Sequence, residues 1–393
     1  MALTLFLLSV AFCAYTYFVF PLLLHWRAGR GATQVDAASR VDDSSLQGSS
    51  WPSVTILIAV HNERHHLERK LQSLAKLDYP HEQLEIIIVS DGSSDGSEAY
   101  LQQMSTSVDA EIAGLMSRVV VEHYDTPAGK PTALNIACGR ARHDVLVYMD
   151  ARQTVSENAI KALVTRLQQP GVGVVSGELV LSDDGHTEAA NVGLYWRYEK
   201  WIRLNESTLF STTGATGALY AIRRQDATLL PADTLLDDFI TPVEILRQGK
   251  RTVFEPSARV FDASEKDADK EYRRKVRTLA GNFQAFSRQP WLFNPRKNPV
   301  WWQFLSHKVA RLLVPYAMAI AFCASLFGSG WFLNSMLLLQ LVFYAVGIVG
   351  TYSAAFGQQR IVSFIKVFLQ LNLAAVVGAI RYFTGTAAIR WKS

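Results

Sequence analysis

Residues 54–63 read Val-Thr-Ile-Leu-Ile-Ala-Val-His-Asn-Glu. The first seven are almost unbroken apolar, with many β-branched side chains, which is the composition of a strand buried on both faces. The run stops abruptly at His61-Asn62-Glu63, and Leu67, Leu71 and Leu74 then recur at helical spacing. Residues 84–89 repeat the buried-strand pattern and lead into Ser90-Asp91-Gly92-Ser93-Ser94-Asp95-Gly96. A third strand is expected at 118–123, a helix at 131–141 and a fourth strand at 145–149, which leads into Asp150-Ala151-Arg152. A helix over 156–168 is stopped by Pro170. This alternation predicts a mainly parallel sheet with helices on both sides. Polar and acidic residues follow several strands, at the edge where open α/β sheets bind ligands. Asp and Gly are also ordinary turn residues; it is their recurrence along one edge that points to a site. No GxGxxG follows the first strand and no GxxxxGK[ST] occurs, which argues against a dinucleotide oxidoreductase and a P-loop ATPase.

Working outward, the 393-residue chain is 49% hydrophobic and 19% charged, too apolar for a disordered protein. Its formal charge of +4 is mild and argues against a nucleic-acid binder. Cys13, Cys138 and Cys323 form no CxxC pair, so neither a disulfide framework nor a zinc site is implied, and a reducing compartment suits the soluble part. The apolar mass is concentrated at the two ends. Residues 2–24 suffice for one bilayer crossing, which takes about 20 residues. No positive charge precedes them, whereas Arg27 and Arg30 follow, so an anchor entering the cytoplasm is expected rather than a cleaved leader. Residues 312–327 and 331–352 read as two further spans around Gly328-Ser329-Gly330, flanked by Lys308, Arg311 and Arg360. Residues 361–383 carry Lys366, Gln370, Asn372 and Arg381 and either span or lie in the interface. Tryptophans 291, 301 and 302, with Arg296 and Lys297, fit an interfacial belt or a packed aromatic corner equally well. The expected organisation is a transmembrane helix at 1–25, a polar linker at 26–50, a catalytic α/β domain at 51–289, an interfacial segment at 290–308, C-terminal transmembrane helices at 309–385 and a tail at 386–393.

Seven segments occur in order within this α/β domain: AVHNE (59–63), VSDGSSDGS (89–97), AGKPTALN (128–135), YMDA (148–151), GATGALYAIRR (214–224), LLDDFITPVEILRQGKRTVFEP (235–256) and RRKVRTLAGNFQ (273–284). Together they resemble the inverting family-2 glycosyltransferases of GT-A fold over 53–284. With its terminal helices the chain is similar to the membrane-bound branch that includes hyaluronan, cellulose and poly-N-acetylglucosamine synthases.

The resemblance implies a role for each segment. Ala59, His61 and Glu63 stand at the family's base and ribose position, and Asp91 at that of the acid contacting the base. Lys130 stands near the nucleotide phosphates, where its charge is useful; the alternative is a solvated helix start, against which Gly129 and Pro131 favour a fixed loop. Asp150 matches the first acid of the DxD-type motif and implies Mg²⁺ or Mn²⁺. The chain departs from the motif at Arg152, which either contacts pyrophosphate or faces solvent. Asp238 takes the general-base position, with Asp237 beside it to raise its pKa; an acidic helix N-terminus favoured by the dipole would look the same. Gly214, Thr216 and Gly217 match the small-residue segment beneath the acceptor. Arg274 and Arg277 lie where processive members carry QxxRW and imply pyrophosphate contacts, or a basic helix beside anionic lipid. Thr278 replaces the motif's Trp, which argues against long-chain polymerisation.

The implied function is transfer of a sugar from a nucleotide-diphospho-sugar, first of all a UDP-sugar, to a lipid-linked or saccharide acceptor in exopolysaccharide or envelope-glycan assembly. The alternatives are a processive synthase that secretes its product, and a non-catalytic nucleotide-sugar-binding scaffold. Expected partners are the donor, the acceptor, membrane lipids, and either other polysaccharide-assembly proteins or a second copy, with no nucleic acid. The expected location is multi-pass in the cell (inner) membrane, with the catalytic domain cytoplasmic.

Overall fold

The computed structural model describes residues 1–39, 51–182, 187–263 and 268–387. The chain divides into two compact units. A sheet unit is built from Gly31–Ser182 and Glu206–Ala263, and a helical unit from Met1–Arg30, Asp183–Asn205 and Ser264–Ala387.

The sheet unit contains a mixed eight-stranded sheet of order β3-β2-β1-β4-β7-β6-β8-β5. Its strands are β1 (Val54–Val60), β2 (Leu84–Asp91), β3 (Val119–Tyr124), β4 (Val145–Asp150), β5 (Thr154–Val155), β6 (Val172–Ser182), β7 (Leu219–Arg223) and β8 (Arg251–Ala263). The first four strands are parallel, as the buried runs predict. Every residue of β1 and β2 is buried, which leaves helices to cover both faces. Parallel pairing is interrupted at β7, which runs antiparallel to β4 and β6, with Tyr148 stacked on Tyr220 at 4.6 Å between ring centroids, and it resumes between β6 and β8.

Register determines what the sheet edge presents. Val54 is level with both Leu84 and Val145, so the carboxyl ends of three strands finish side by side: Ala59 opposite Asp150, and Val60 opposite Ser90. β2 and β4 run further than their apolar stretches indicate, and Asp91 and Asp150 are their last residues rather than the first residues of loops. Strand geometry therefore aims these acids, because side chains alternate between faces.

Among the described residues, four helices, all in the helical unit, are long and apolar enough to cross a membrane: Ala2–Arg30, Trp301–Phe327, Trp331–Tyr352 and Arg360–Phe383. The last is a continuous helix despite its polar residues. Asn372 Nδ2 returns a hydrogen bond of 2.8 Å to its own helix at the Phe368 carbonyl, and Gly378 faces the helix Ala268–Arg288. A Cβ at Gly378 would stand 2.9 Å from the Ala280 nitrogen, so the close approach needs glycine. The expected linker is helical as far as Ser39; its remainder, 40–50, lies outside the described residues, as does 388–393 of the tail. The expected interfacial segment also divides, since helix begins at Trp301 rather than 309. Around its start, Phe286 and Phe293 pack edge to face with each other and with Phe304, and Trp302 packs on Phe20 at 5.0 Å between ring centroids.

Two spans have a π-helical turn, Tyr15–Val19 and Phe304–Val309, and these turns meet. Tyr15 Oη lies 2.7 Å from Ser306 Oγ and accepts from Trp302 Nε1 at 3.1 Å, and the Tyr17 carbonyl accepts from Tyr198 Oη at 2.7 Å. Glu199 pairs with Arg311 and with His307 at 3.2 Å. Burial pushes the Glu199 carboxyl up, but Arg311 and then His307 outweigh it and hold it well below the usual carboxylate range.

Ile58 in β1 has no exposed surface. Ile58→Ala is expected to cost about 2–5 kcal/mol and Ile58→Val about 0.5–1.5 kcal/mol. Denaturant unfolding of the detergent-solubilised protein measures both; near-equal losses would contradict a close-packed β1.

Candidate active site

The loops after β1 and β2 interlock. His61 Nδ1 lies 2.6 Å from the Asp91 carbonyl, which can only accept, so Nδ1 carries the proton. Asn62 has φ 56°, a left-handed conformation that Asn tolerates better than most residues. This turns its Oδ1 to accept from the Ser94 amide at 2.8 Å. The Arg64 amide, at the start of the helix Arg64–Ala75, donates to Asp95 Oδ2 at 2.8 Å. Glu63 lies in this turn and its side chain is 21% exposed. Burial, then the charge of Asp150, pushes its carboxyl up to about 7.

Asp91 has no exposed surface. Its Oδ1 accepts from the Ala128 amide at 2.6 Å and its Oδ2 from the Gly129 amide at 2.8 Å. It therefore shapes the loop that delivers Lys130. Gly129 has φ 98°, which needs glycine, and Pro131 follows Lys130 in the first turn of the helix Lys130–Arg140.

Lys130 Nζ lies 2.9 Å from Asp150 Oδ1 and 3.2 Å from Asp237 Oδ2. The first contact is a hydrogen bond; the second is electrostatic only, since buried Asp237 Oδ2 has no hydrogen-bond partner among the described residues. Burial works against the Lys130 charge, but Asp150 and then Asp237 outweigh it and raise the ammonium's pKa. Lys130 is thus no solvated helix start. Asp237 and Asp238 open the helix Asp237–Arg247, where the dipole favours acids, so the reading as an acidic helix start also holds. The segment 214–217 wraps Asp238: the Ala215 amide donates to the Asp238 carbonyl at 2.9 Å, and a Cβ on Gly217 would stand 2.9 Å from Asp238 Oδ2. The Thr216 amide donates to Ser176 Oγ on β6 at 2.8 Å. The sheet unit thus gathers Ala59, His61, Glu63, Asp91, Lys130 and Asp150 at one edge, with Asp237 joined through Lys130 and the Gly214–Gly217 segment around Asp238. Arg274 and Arg277 belong to the helical unit, where Arg274 pairs with Glu271 at 2.9 Å.

Arg152 is paired within the protein rather than left to solvent. Its guanidinium forks onto Asp262 of β8, with Nε to Oδ1 at 2.9 Å and Nη2 to Oδ2 at 2.7 Å. Gln153 Nε2 shares Oδ2 at 2.9 Å, and Lys70 Nζ donates to the Gln153 carbonyl at 2.9 Å. Lys70 is only 1% exposed. Burial lowers its pKa to about 7 against the opposing pull of Asp150. Sequence reasoning missed Lys70 and Asp262. Lys70 had a signal, since a lysine on the stripe formed by Leu67, Leu71 and Leu74 must be buried with a partner; Asp262 had none, because its partner lies 110 residues away.

Among the described residues no three or more His, Cys, Asp or Glu converge as a metal cage. Asp150, with its side chain 35% exposed, offers a single carboxylate at the edge. Hard divalent cations that bind with substrate phosphates need only one or two carboxylates, water and phosphate oxygens completing the shell. The donor set fits that substrate-completed kind of site.

Glu63 gives a test of this electrostatic picture. Its pKa is raised in the fold, so ionising it costs stability; the cost is absent below the unfolded value near 4.3, grows with pH and is complete above about 7. Glu63→Gln should therefore raise unfolding stability at pH 8 by roughly 1–3 kcal/mol and hardly change it at pH 4. Equal effects at both pH values would contradict the shift.

The description "Glycosyl transferase family 2" matches residues 55–229, and "Glycosyl transferase family group 2" matches 145–357, more than half of the chain. A probable glycosyltransferase, YdaM, of Bacillus subtilis is 25% identical over 245 residues, covering 59% of this chain and 55% of its own. A β-monoglucosyldiacylglycerol synthase of Trichormus variabilis is 28% identical over 141 residues (36% and 29%). The poly-β-1,6-N-acetyl-D-glucosamine synthase of Staphylococcus aureus is 21% identical over 240 residues (60% and 56%). The chain spans about half the length, or less, of these curated relatives. Among solved structures, the mannosyltransferase PcManGT from Pyrobaculum calidifontis in complex with GDP-Man and Mn²⁺ superposes with a TM-score of 0.69 at 20% identity, covering 96% of this chain and 99% of that one, which shows a shared fold. The sheet is thus that of the GT-A fold, and the chain belongs to glycosyltransferase family 2.

Proposed function

We propose that this protein is a membrane-bound inverting glycosyltransferase that moves a sugar from a nucleotide-diphospho-sugar to a lipid-linked or saccharide acceptor. The observation that carries the reading is the Lys130 ammonium held between Asp150 and Asp237, with Asp238 next in sequence. A largely buried cation beside a candidate base, at the edge where open α/β sheets bind ligands, supports the reading.

In this reading the base and ribose lie against the loop of His61 and Glu63, and Lys130 exchanges a carboxylate for a phosphate oxygen of the donor. Asp150 would hold Mg²⁺ or Mn²⁺, which offsets charge developing on the diphosphate leaving group. Asp238 removes the proton from the acceptor hydroxyl as its oxygen attacks the anomeric carbon. The bond to the diphosphate oxygen breaks on the opposite side, and one displacement inverts the centre. Glycine at 217 leaves the space next to Asp238 Oδ2 open, where a side chain would press on it. Arg274 and Arg277 are proposed as diphosphate contacts from their motif position alone.

A UDP-sugar is the first donor to test, and GDP-mannose the second. The names of the glycolipid and polysaccharide synthases among the relatives support a lipid-linked or saccharide acceptor in envelope or exopolysaccharide assembly. Thr278, in place of the aromatic platform of processive members, favours addition of few sugars over long-chain synthesis. The four apolar helices and the Arg27 and Arg30 flank support a multi-pass protein of the cell membrane with its sheet unit on the cytoplasmic side.

The deciding assay is nucleoside diphosphate release from a panel of UDP- and GDP-sugars, with Mg²⁺ or Mn²⁺ and with EDTA. Asp238→Asn should lower turnover by about 10²–10⁴-fold with donor affinity retained. Gly217→Ala should lower turnover in the same direction while leaving donor affinity within a few-fold, since it presses on Asp238 rather than on the nucleotide loops. Wild-type turnover in Asp238→Asn would remove this residue as the base.

A further inference from the structure

The β4–β5 turn carries more buried charge than its length requires. It runs from Asp150 to Thr154, and β5 closes at once onto β8, with Thr154 opposite Phe261 and Val155 opposite Val260. Asp262 follows directly in β8 and is 5% exposed; Gln153 is 6% exposed. Arg152 and Gln153 grip Asp262 from one side of the turn, and Lys70 grips the Gln153 carbonyl from the helix Arg64–Ala75 on the other. Burying ions this way is seldom stabilising compared with apolar packing of the same volume. A turn with only a structural duty would be cheaper without them. What the arrangement does secure is direction: a bidentate guanidinium–carboxylate fork fixes orientation as well as distance.

We propose that Arg152 is a positioning residue, which with Asp262, Gln153 and Lys70 clamps the β4–β5 turn so that the Asp150 carboxylate is held toward Lys130. The functional half of this inference rests on the role proposed above for Asp150. In this chain the position two residues after Asp150 therefore acts through orientation, not as a second acidic ligand. One consequence runs against motif matching. Arg152→Asp recreates the strict acid-x-acid pattern, yet it sets a second carboxylate against buried Asp262 with its cation removed. It is expected to damage the enzyme.

Two measurements on the protein in detergent or nanodiscs test the clamp. Hydrogen exchange of peptides covering 150–155 is read without nucleotide, and nucleoside diphosphate release is read with the best donor. Arg152→Asp should speed exchange at 150–155 about tenfold or more, leave peptides from β1 and β2 unchanged, and lower turnover about 10–100-fold. The double variant Arg152→Asp with Asp262→Arg should recover much of both losses. Arg152→Lys keeps the charge but loses the fork and should fall between, which serves if the acidic variant does not fold. Unchanged exchange at 150–155 in Arg152→Lys and Arg152→Asp would overturn the clamp. Turnover in Arg152→Asp equal to or above wild type would overturn it too, in favour of an acidic ligand at this position. If the wild type turned over no donor, the proposed function would fall, and the exchange data alone would still decide whether the turn is clamped.

Discussion

The candidate site depends on one ammonium group. Lys130 Nζ stands within 3.2 Å of carboxylates from two distant segments, the end of β4 and the start of the helix Asp237–Arg247. Without it, two acids would face each other at a partly buried edge, a costly arrangement when a charge loses its partner. Much of the surrounding loop structure delivers this group. Asp91 spends both carboxylate oxygens on the Ala128 and Gly129 amides, Gly129 takes a backbone conformation closed to other residues, and Pro131 starts the helix immediately afterwards. Asp91, whatever it contacts in a donor complex, is thus also part of the scaffold of a cation.

That delivery works because packing specifies the register of the sheet. β1 is buried on both faces and lies level with β2 and β4, so a slip of one residue would send every side chain into the opposite packing layer, where it does not fit. The same alignment brings His61, Asp91 and Asp150 to one edge. Core packing and site geometry are therefore one constraint. The hydrophobic runs hold the register, and the register holds the polar residues at their ends.

The helical unit solves the opposite problem, polar groups among apolar helices. Carbonyls and hydroxyls around the two π-helical turns are satisfied by Tyr15, Ser306, Trp302 and Tyr198, and Glu199 is balanced by Arg311 and His307. Asn372 returns its amide to its own helix, and Gly378 allows a neighbouring helix to approach. These devices explain how a segment with several polar residues can still form a helix long and apolar enough to cross a membrane.

The sequence by itself determined the class of fold and the edge on which a site would lie. Uninterrupted β-branched runs such as 54–60 admit few other readings, and acids following several of them mark the binding edge of a parallel sheet. The ordered motifs also pointed to the family, because each segment is short-range and carries its own pattern. Pairing at a distance was left to the tertiary structure. Nothing near Arg152 in the chain announces that its partner is Asp262, nothing near Asp91 that it would turn inward to hold 128–129, and nothing near Lys130 that it would meet both Asp150 and Asp237. Local pattern reflects hydrophobic burial, which each segment carries alone. The partner of a charge is decided only when folding brings remote segments into a low-dielectric neighbourhood, where an unpaired ion is too costly to leave.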